Sequence, residues 1–377
     1  MDLDDLAADH GFALHGICAA APAERPDYVR AWIRAGQHGG MGYLEERLEL
    51  HLDVAGVLPN VRSILCVADA YGNTTPTTPT PTTPTPTAPA PAPAPPGETA
   101  SAVRPPPGNA PPTPTGRVAR YAWGRDYHRS LKGRLHRLAD GLRAAHPDAD
   151  FRCTVDTAPV MEREHAQRGG LGFIGKHTLL IHPRHGSFLL LGCVLSTLPP
   201  DAWGGATPPL TLGDCGTCTR YIDACPTDAI DPEGYRLDAT RCISYLTLEH
   251  RDAIAPELHA GMGDWLGGCD ICQDVCPYNA AGTRRPLPVP LDYRPRAHAA
   301  GLDLADVLSW DENDRFNALS GTPLMRIKLW MWKRNALIAA GNAGGRDDPT
   351  LRPLMEAMRE HEHPAVRVTA DAVLDTP

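Results

Sequence analysis

The stretch "DCGTCTRYIDACPTDAI", Asp214 to Ile230, reads as a ferredoxin run with one member replaced. Bacterial ferredoxins space their cluster thiolates as C-x2-C-x2-C-x3-C-P. Cys215, Cys218 and Cys225-Pro226 keep that spacing, and Tyr221 holds the third slot. Further along, "CDICQDVCPYN" supplies Cys269, Cys272 and Cys276-Pro277, with Cys242 between the two runs in "RCISYLTLEH". A two-residue spacer lets a tight turn aim two thiolates at one site, and two such pairs, each followed by Cys-Pro, mark a double-cluster module. In such modules the cysteine before proline serves the other cluster. One cluster then takes Cys225, Cys242, Cys269 and Cys272, a full set of four. The other takes Cys215, Cys218 and Cys276 and meets Tyr221 at its fourth place. Zinc competes for paired cysteines, but the Cys-Pro units and a total of seven thiols rather than four or eight favour clusters over zinc. A phenol ionises near pH ~10 and is a harder ligand than a thiolate, so the Tyr221 corner is expected to be labile. Three cysteines can hold a three-iron core or a four-iron core with one open iron.

The rest of the chain must house this module. At 377 residues and 42% hydrophobic, it can bury two or three cores, single domains commonly running to ~100 to 200 residues. The N-terminus "MDLDDLAADHGFALHG" has no basic leader, and no apolar stretch reaches the ~18 to 20 residues that span a bilayer. A cytoplasmic protein with reduced thiols and no membrane contact is expected. A formal charge of −9 argues against a uniformly positive surface while leaving room for a local basic patch. Cys18, Cys66, Cys153 and Cys193 sit in apolar surroundings and read as small buried hydrophobes.

Residues 74 to 96 contain only Thr, Pro and Ala, a composition with almost nothing to bury, so 73–116 reads as a disordered insertion within one domain. It would separate the strand-like "SILCVADAY" (Ser63 to Tyr71) from "RVARYAWGRDYH" (Arg117 to His128). Leu131, Leu135, Leu138 and Leu142 recur at helical spacing behind Asp126, which predicts an amphipathic helix over 127–145. "TLLIHP" and "SFLLLGCVLST" read as buried strands. The result is an α/β region over 1–200, the double-cluster module over 201–284 and a helical region over 285–377 in the style of a HEAT-like repeat.

Together, "VDTAPVMEREHAQRGGLGFIGKHT" (Val155 to Thr178), "ARYAWGRDYH" (Ala119 to His128), the cluster region and "WKRNALIAAGN" (Trp332 to Asn342) resemble the epoxyqueuosine reductase family. The resemblance implies a nitroreductase-like domain that binds cobalamin (vitamin B12), a ferredoxin-like module with two 4Fe-4S clusters, and a C-terminal helical domain. It implies reduction of epoxyqueuosine to queuosine at wobble position 34 of tRNAs for Tyr, His, Asn and Asp, by a monomer fed from an external electron donor. The set Cys225, Cys242, Cys269 and Cys272 would then lie nearer the corrinoid.

By the same resemblance Asp156 is the proton donor, expected to have its pKa raised by partial burial. Ala119, Asp156, Leu180 and Leu191 are placed against the corrinoid, with Ser244 and Asp270 near it. The competing reading makes Asp156 or Thr157 a helix cap. His51 stands where the family commonly has an arginine, and is as readily a surface histidine. The glycines of "GGLGFIGK" read as turns of close backbone approach. Arg326, Lys328, Lys333 and Arg334, interleaved with Trp330 and Trp332, read as a patch for tRNA phosphates, against the alternative of a core helix. Two other functions compete: a turnover-less electron carrier or tRNA-binding homologue disabled at Tyr221 and His51, and a cobalamin-dependent reductive dehalogenase.

Overall fold

The structure, a computed structural model, describes residues 3–72, 114–203, 213–280 and 285–375. The stretch 73–113, where most of the expected insertion falls, lies outside them.

Among the described residues, nine strands form three sheets: β1 (Leu14–Ala19), β2 (Ser63–Ala70), β3 (Thr115–Val118), β4 (Phe151–Thr154), β5 (Phe173–Ile174), β6 (Leu180–Ile181), β7 (Leu189–Ser196), β8 (Trp265–Gly267) and β9 (Leu302–Asp303). The main sheet is antiparallel in the order β1-β2-β7-β4. All eight residues of β2 are buried, because both faces of the sheet are covered and alternate side chains enter different cores. Leu65 and Val67 meet Leu131, Leu135, Leu138 and Leu142 of the helix Tyr127–Ala145, which Asp126 caps by accepting from His128 N–H at 3.0 Å. Each buried leucine contributes roughly 1.5–3 kcal/mol, so the amphipathic period fixes this face. Ile64, Cys66 and Ala68 point the other way, toward Val160, Ala166, Leu171 and Leu180. Cys18, Cys66 and Cys193 lie in that second core and Cys153 in the first.

Two expectations need revision. "TLLIHP" supplies only the two-residue β6, paired with β5 in a small hairpin rather than in the main sheet. There Gly172, at φ +156°, brings its backbone so near Ile181 that a Cβ would lie 2.3 Å from the carbonyl oxygen, the close approach that requires glycine. Nor do Thr115 and Gly116 belong to an insertion: they open β3, which pairs with β8 of the cysteine module and β9 of the C-terminal region.

That small sheet ties three stretches of sequence together. Val118, Ala122 and Trp123 share one core with Leu246, Met262 and Leu266 of the module and with Leu304, Trp332 and Leu337 beyond it. A border at residue 284 therefore runs through a common core. The helix Leu329–Asn342 forms its centre and packs on the helix Pro364–Asp375. Arg334 is fully buried there, donating to the carbonyl oxygens of Leu246, His250 and Asp252. Trp332 is fully buried as well, and Trp330 stacks on His363 at 3.8 Å. The basic patch accordingly loses Arg334 and Trp332 to the core, leaving Arg326 and Lys328 exposed and Lys333 half-buried.

Candidate active site

The three regions meet around a cavity of about 440 Å³. Its walls include Leu180 and Leu189 to Leu191 from the sheet side, Asp156, His128 and Tyr127 from the loops and long helix, and Pro323 and Arg326 from the C-terminal region. The cysteine module contributes Cys225, Cys242, Ser244, Cys269, Asp270 and Cys272. Five of the six residues placed against a cofactor by sequence, Asp156, Leu180, Leu191, Ser244 and Asp270, line this cavity. Ala119 does not; it is buried against Gly268, and its N–H donates to the Gly267 carbonyl at 2.9 Å. His51 lies in the helix Leu48–Leu52, away from the cavity lining.

Asp156 owes its position to backbone geometry. Its φ is +55°, and Thr157 N–H donates to the Val155 carbonyl at 2.6 Å, closing a three-residue turn around it. Aspartate tolerates this left-handed region better than most residues, and such strain is characteristic of functional sites. The next helix, Glu162–Arg168, is preceded by Met161 and has no side-chain cap, so Asp156 is not a helix cap.

His128 Nε2 bonds Asp156 Oδ2 at 2.8 Å, and His128 Nδ1 bonds Asp126 Oδ1 at 2.7 Å. The ring stacks on Tyr127 at 4.1 Å. Burial works against the imidazolium, but the Asp126 and Asp156 carboxylates outweigh it and push His128 up to about 9. Burial likewise works to raise Asp156, yet the His128 hydrogen bond and charge, with Arg326, hold the carboxyl below its ordinary value. The upward shift expected for Asp156 is thus reversed: near neutrality the proton of this pair sits on His128, between two carboxylates. His128 escaped the sequence reading because its neighbour Asp126 was already explained as a helix cap. Glu162, raised to about 8 mainly by burial, also lies close enough to feel the Asp156 charge.

The cysteines fall into two groups. Burial, and then the neighbouring Cys269, Cys242 and Cys225 thiols, push Cys272 up, which places these four together at the cavity. Cys276 is raised by burial and by Cys215 and Cys218, and shares a separate cluster with them and Tyr221. Cys276 also borders a surface hollow of about 520 Å³ lined by Arg220, Asp223 and Asp274, so this second group is the outer one. Backbone N–H groups point at the thiols: Lys176 at Cys215 (3.5 Å), Ala229 at Cys225 (3.4 Å) and Ile271 at Cys269 (3.5 Å). Such donors suit sulfur that carries negative charge. Among the described residues, no three His, Cys, Asp or Glu side chains gather closely enough to hold a single metal ion.

A hydrogen-bond network docks the module on the sheet. Gln273 donates to the Tyr71 hydroxyl (3.2 Å) and accepts from Ser187 (2.9 Å), while Asn279 donates to the Ser187 hydroxyl and to the Gln273 carbonyl.

Fold and site together define an iron-sulfur oxidoreductase whose cluster module faces an acid-bearing cavity. Residues 214–279 match the model of a 4Fe-4S double cluster binding domain, and residues 52–157 match Epoxyqueuosine reductase QueG, DUF1730. An epoxyqueuosine reductase of Xanthomonas campestris is 34% identical over 96% of this chain and 91% of its own. That of Escherichia coli is 33% identical over 97% and 87%. The chain belongs to the epoxyqueuosine reductase family. A crystal structure of an epoxyqueuosine reductase with an epoxyqueuosine-modified tRNA-Tyr stem loop superposes with a TM-score of 0.78 at 26% identity, covering 99% of this chain and 88% of that one.

Proposed function

We propose that this chain reduces epoxyqueuosine to queuosine at the wobble position of tRNAs for Tyr, His, Asn and Asp. The observation that carries the reading is one cavity shared by four module cysteines and the His128–Asp156 pair. In this reading the first region is nitroreductase-like and the C-terminal helices HEAT-like, and the working protein is a cytoplasmic monomer served by an external electron donor. Among the described residues, no helix is long and apolar enough to cross a membrane.

Cys225, Cys242, Cys269 and Cys272 suit a 4Fe-4S cube, with backbone N–H donors already aimed at two of the thiols. The leucines of β7 and Leu180 offer an apolar wall for a corrinoid, and Ser244 and Asp270 flank it from the module. Cobalamin bound there would supply a strong nucleophile and low-potential electrons, which an epoxide needs because it lacks an electrophilic carbonyl. The protein's own task is to deliver protons as the C–O bonds break. Asp156 faces the cavity and His128 holds the proton behind it, so Asp156 passes on a proton that His128 stores. Asp126 keeps the imidazole oriented. Exposed Lys328 supplies positive charge for the tRNA backbone, and Arg326 stands at the cavity wall paired with Glu249.

The test is genetic. In a strain lacking its own reductase, this chain should convert accumulated epoxyqueuosine into queuosine in bulk tRNA. Unchanged nucleosides, with the chain expressed and iron-loaded, would refute the reading.

A further inference from the structure

Tyr221 stands where the outer cluster needs a fourth thiolate, and the structure shows what it does there. It lies on the short helix Arg220–Ala224, 1% exposed, in a cluster with Cys215, Cys218 and Cys276. Its hydroxyl donates to the Cys218 carbonyl at 3.2 Å, so its oxygen is already engaged. The ring packs on His177, centroids 5.3 Å apart. A tyrosine carries its oxygen much farther from Cα than a cysteine carries its sulfur. The ring lies in the same buried cluster as the three thiols, where a cysteine would present only a sulfur.

Cys225 and Cys272 border this cluster but belong to the inner set, and the four thiols outside the module lie elsewhere. Cys18, Cys66 and Cys193 are buried in one core of the main sheet and Cys153 in the other. The nearby carboxylates are exposed and engaged locally, Asp214 by Gly216 N–H at 2.7 Å and Asp223 by the Thr219 hydroxyl at 2.8 Å. Three thiols and a bulky aromatic side chain do not fit a cube anchored at all four corners.

We propose that the outer cluster of this chain is a three-iron, four-sulfide cluster held by Cys215, Cys218 and Cys276, with Tyr221 filling the missing corner as an unligated phenol. The proposal rests on the double-cluster reading of the module. Its consequence is functional: a three-iron centre carries electrons at a different potential from a cube.

The experiment uses the full chain, prepared and kept without oxygen and examined before any reductant is added. Electron paramagnetic resonance should show the narrow signal of an oxidised three-iron cluster, which an oxidised cube, being diamagnetic, does not give. Iron and sulfide should come to about seven and eight per chain, the sum expected of one cube and one three-iron cluster. Tyr221→Cys should abolish that signal and raise iron to about eight, whereas Tyr221→Phe, which keeps the ring, should retain it. A parent chain with about eight iron atoms and no three-iron signal would overturn the proposal. Epoxide conversion on the same samples, with corrinoid reduced chemically, separates the two readings. Conversion alongside an eight-iron parent would sink the three-iron cluster and leave the reductase standing.

Discussion

The two cysteine groups of the module come from the same motif and differ at one position. The inner group has four thiols, lines the cavity and faces Asp156. The outer group has three, borders the surface hollow and holds a buried tyrosine in the remaining place. In the proposed reading the outer cluster only relays electrons from outside, and there a thiol has been replaced, whereas the group beside the cavity keeps all four. Positions along the electron path are unequal, and the chain departs from the motif at the outer end.

The comparison is broken most severely from the inside. Cys242→Ala removes one inner thiol and should reduce epoxide conversion to background while the outer-cluster signal persists. Paired iron analysis and product quantification check both halves, and conversion at the parent's rate would contradict the inner assignment. Next, Asp156→Asn should slow conversion by ~10² to 10⁴, the usual worth of a positioned proton donor, with binding of a modified stem loop unchanged.

His128→Gln should cost less, because water can replace a proton store more readily than a proton donor, and its signature is the pH profile. His128 is raised in the folded chain from an ordinary value of 6.5 to about 9. The ion pair's contribution to stability and to activity is therefore complete below pH ~6.5 and is lost as pH rises through about 9. The alkaline fall in rate near pH 9 should vanish in His128→Gln, and its persistence there would assign it to another group. The smallest effect belongs to the outer group: Tyr221→Phe should leave conversion with chemically reduced corrinoid unchanged.

The sequence spoke clearly where spacing and composition carry the physics. The cysteine runs, the helix behind Asp126 and the buried strands β2 and β7 were all legible, since thiolate spacing and leucine periodicity are local signals. What escaped it was long-range. β3 joins β8 and β9 across more than one region of the chain, and no local pattern announces such a partner. Arg334 and Trp332 have the composition of a nucleic-acid patch, yet three carbonyl oxygens from the module draw Arg334 inward. Asp156 was legible only through its motif. Its partner His128 becomes visible once the turn at Val155–Thr157 and the first turn of the long helix are seen to meet.

The central claim is that the inner cluster, the corrinoid and the proton of the His128–Asp156 pair serve one cavity. A single-turnover assay tests it, using oxygen-free protein loaded with cobalamin, reduced chemically and mixed with an epoxyqueuosine-bearing stem loop, the nucleosides being read by mass spectrometry. The parent should yield queuosine, and Asp156→Asn should bind the stem loop equally well but leave the epoxide intact. Queuosine formed by both at the same rate, or by neither, would contradict the account.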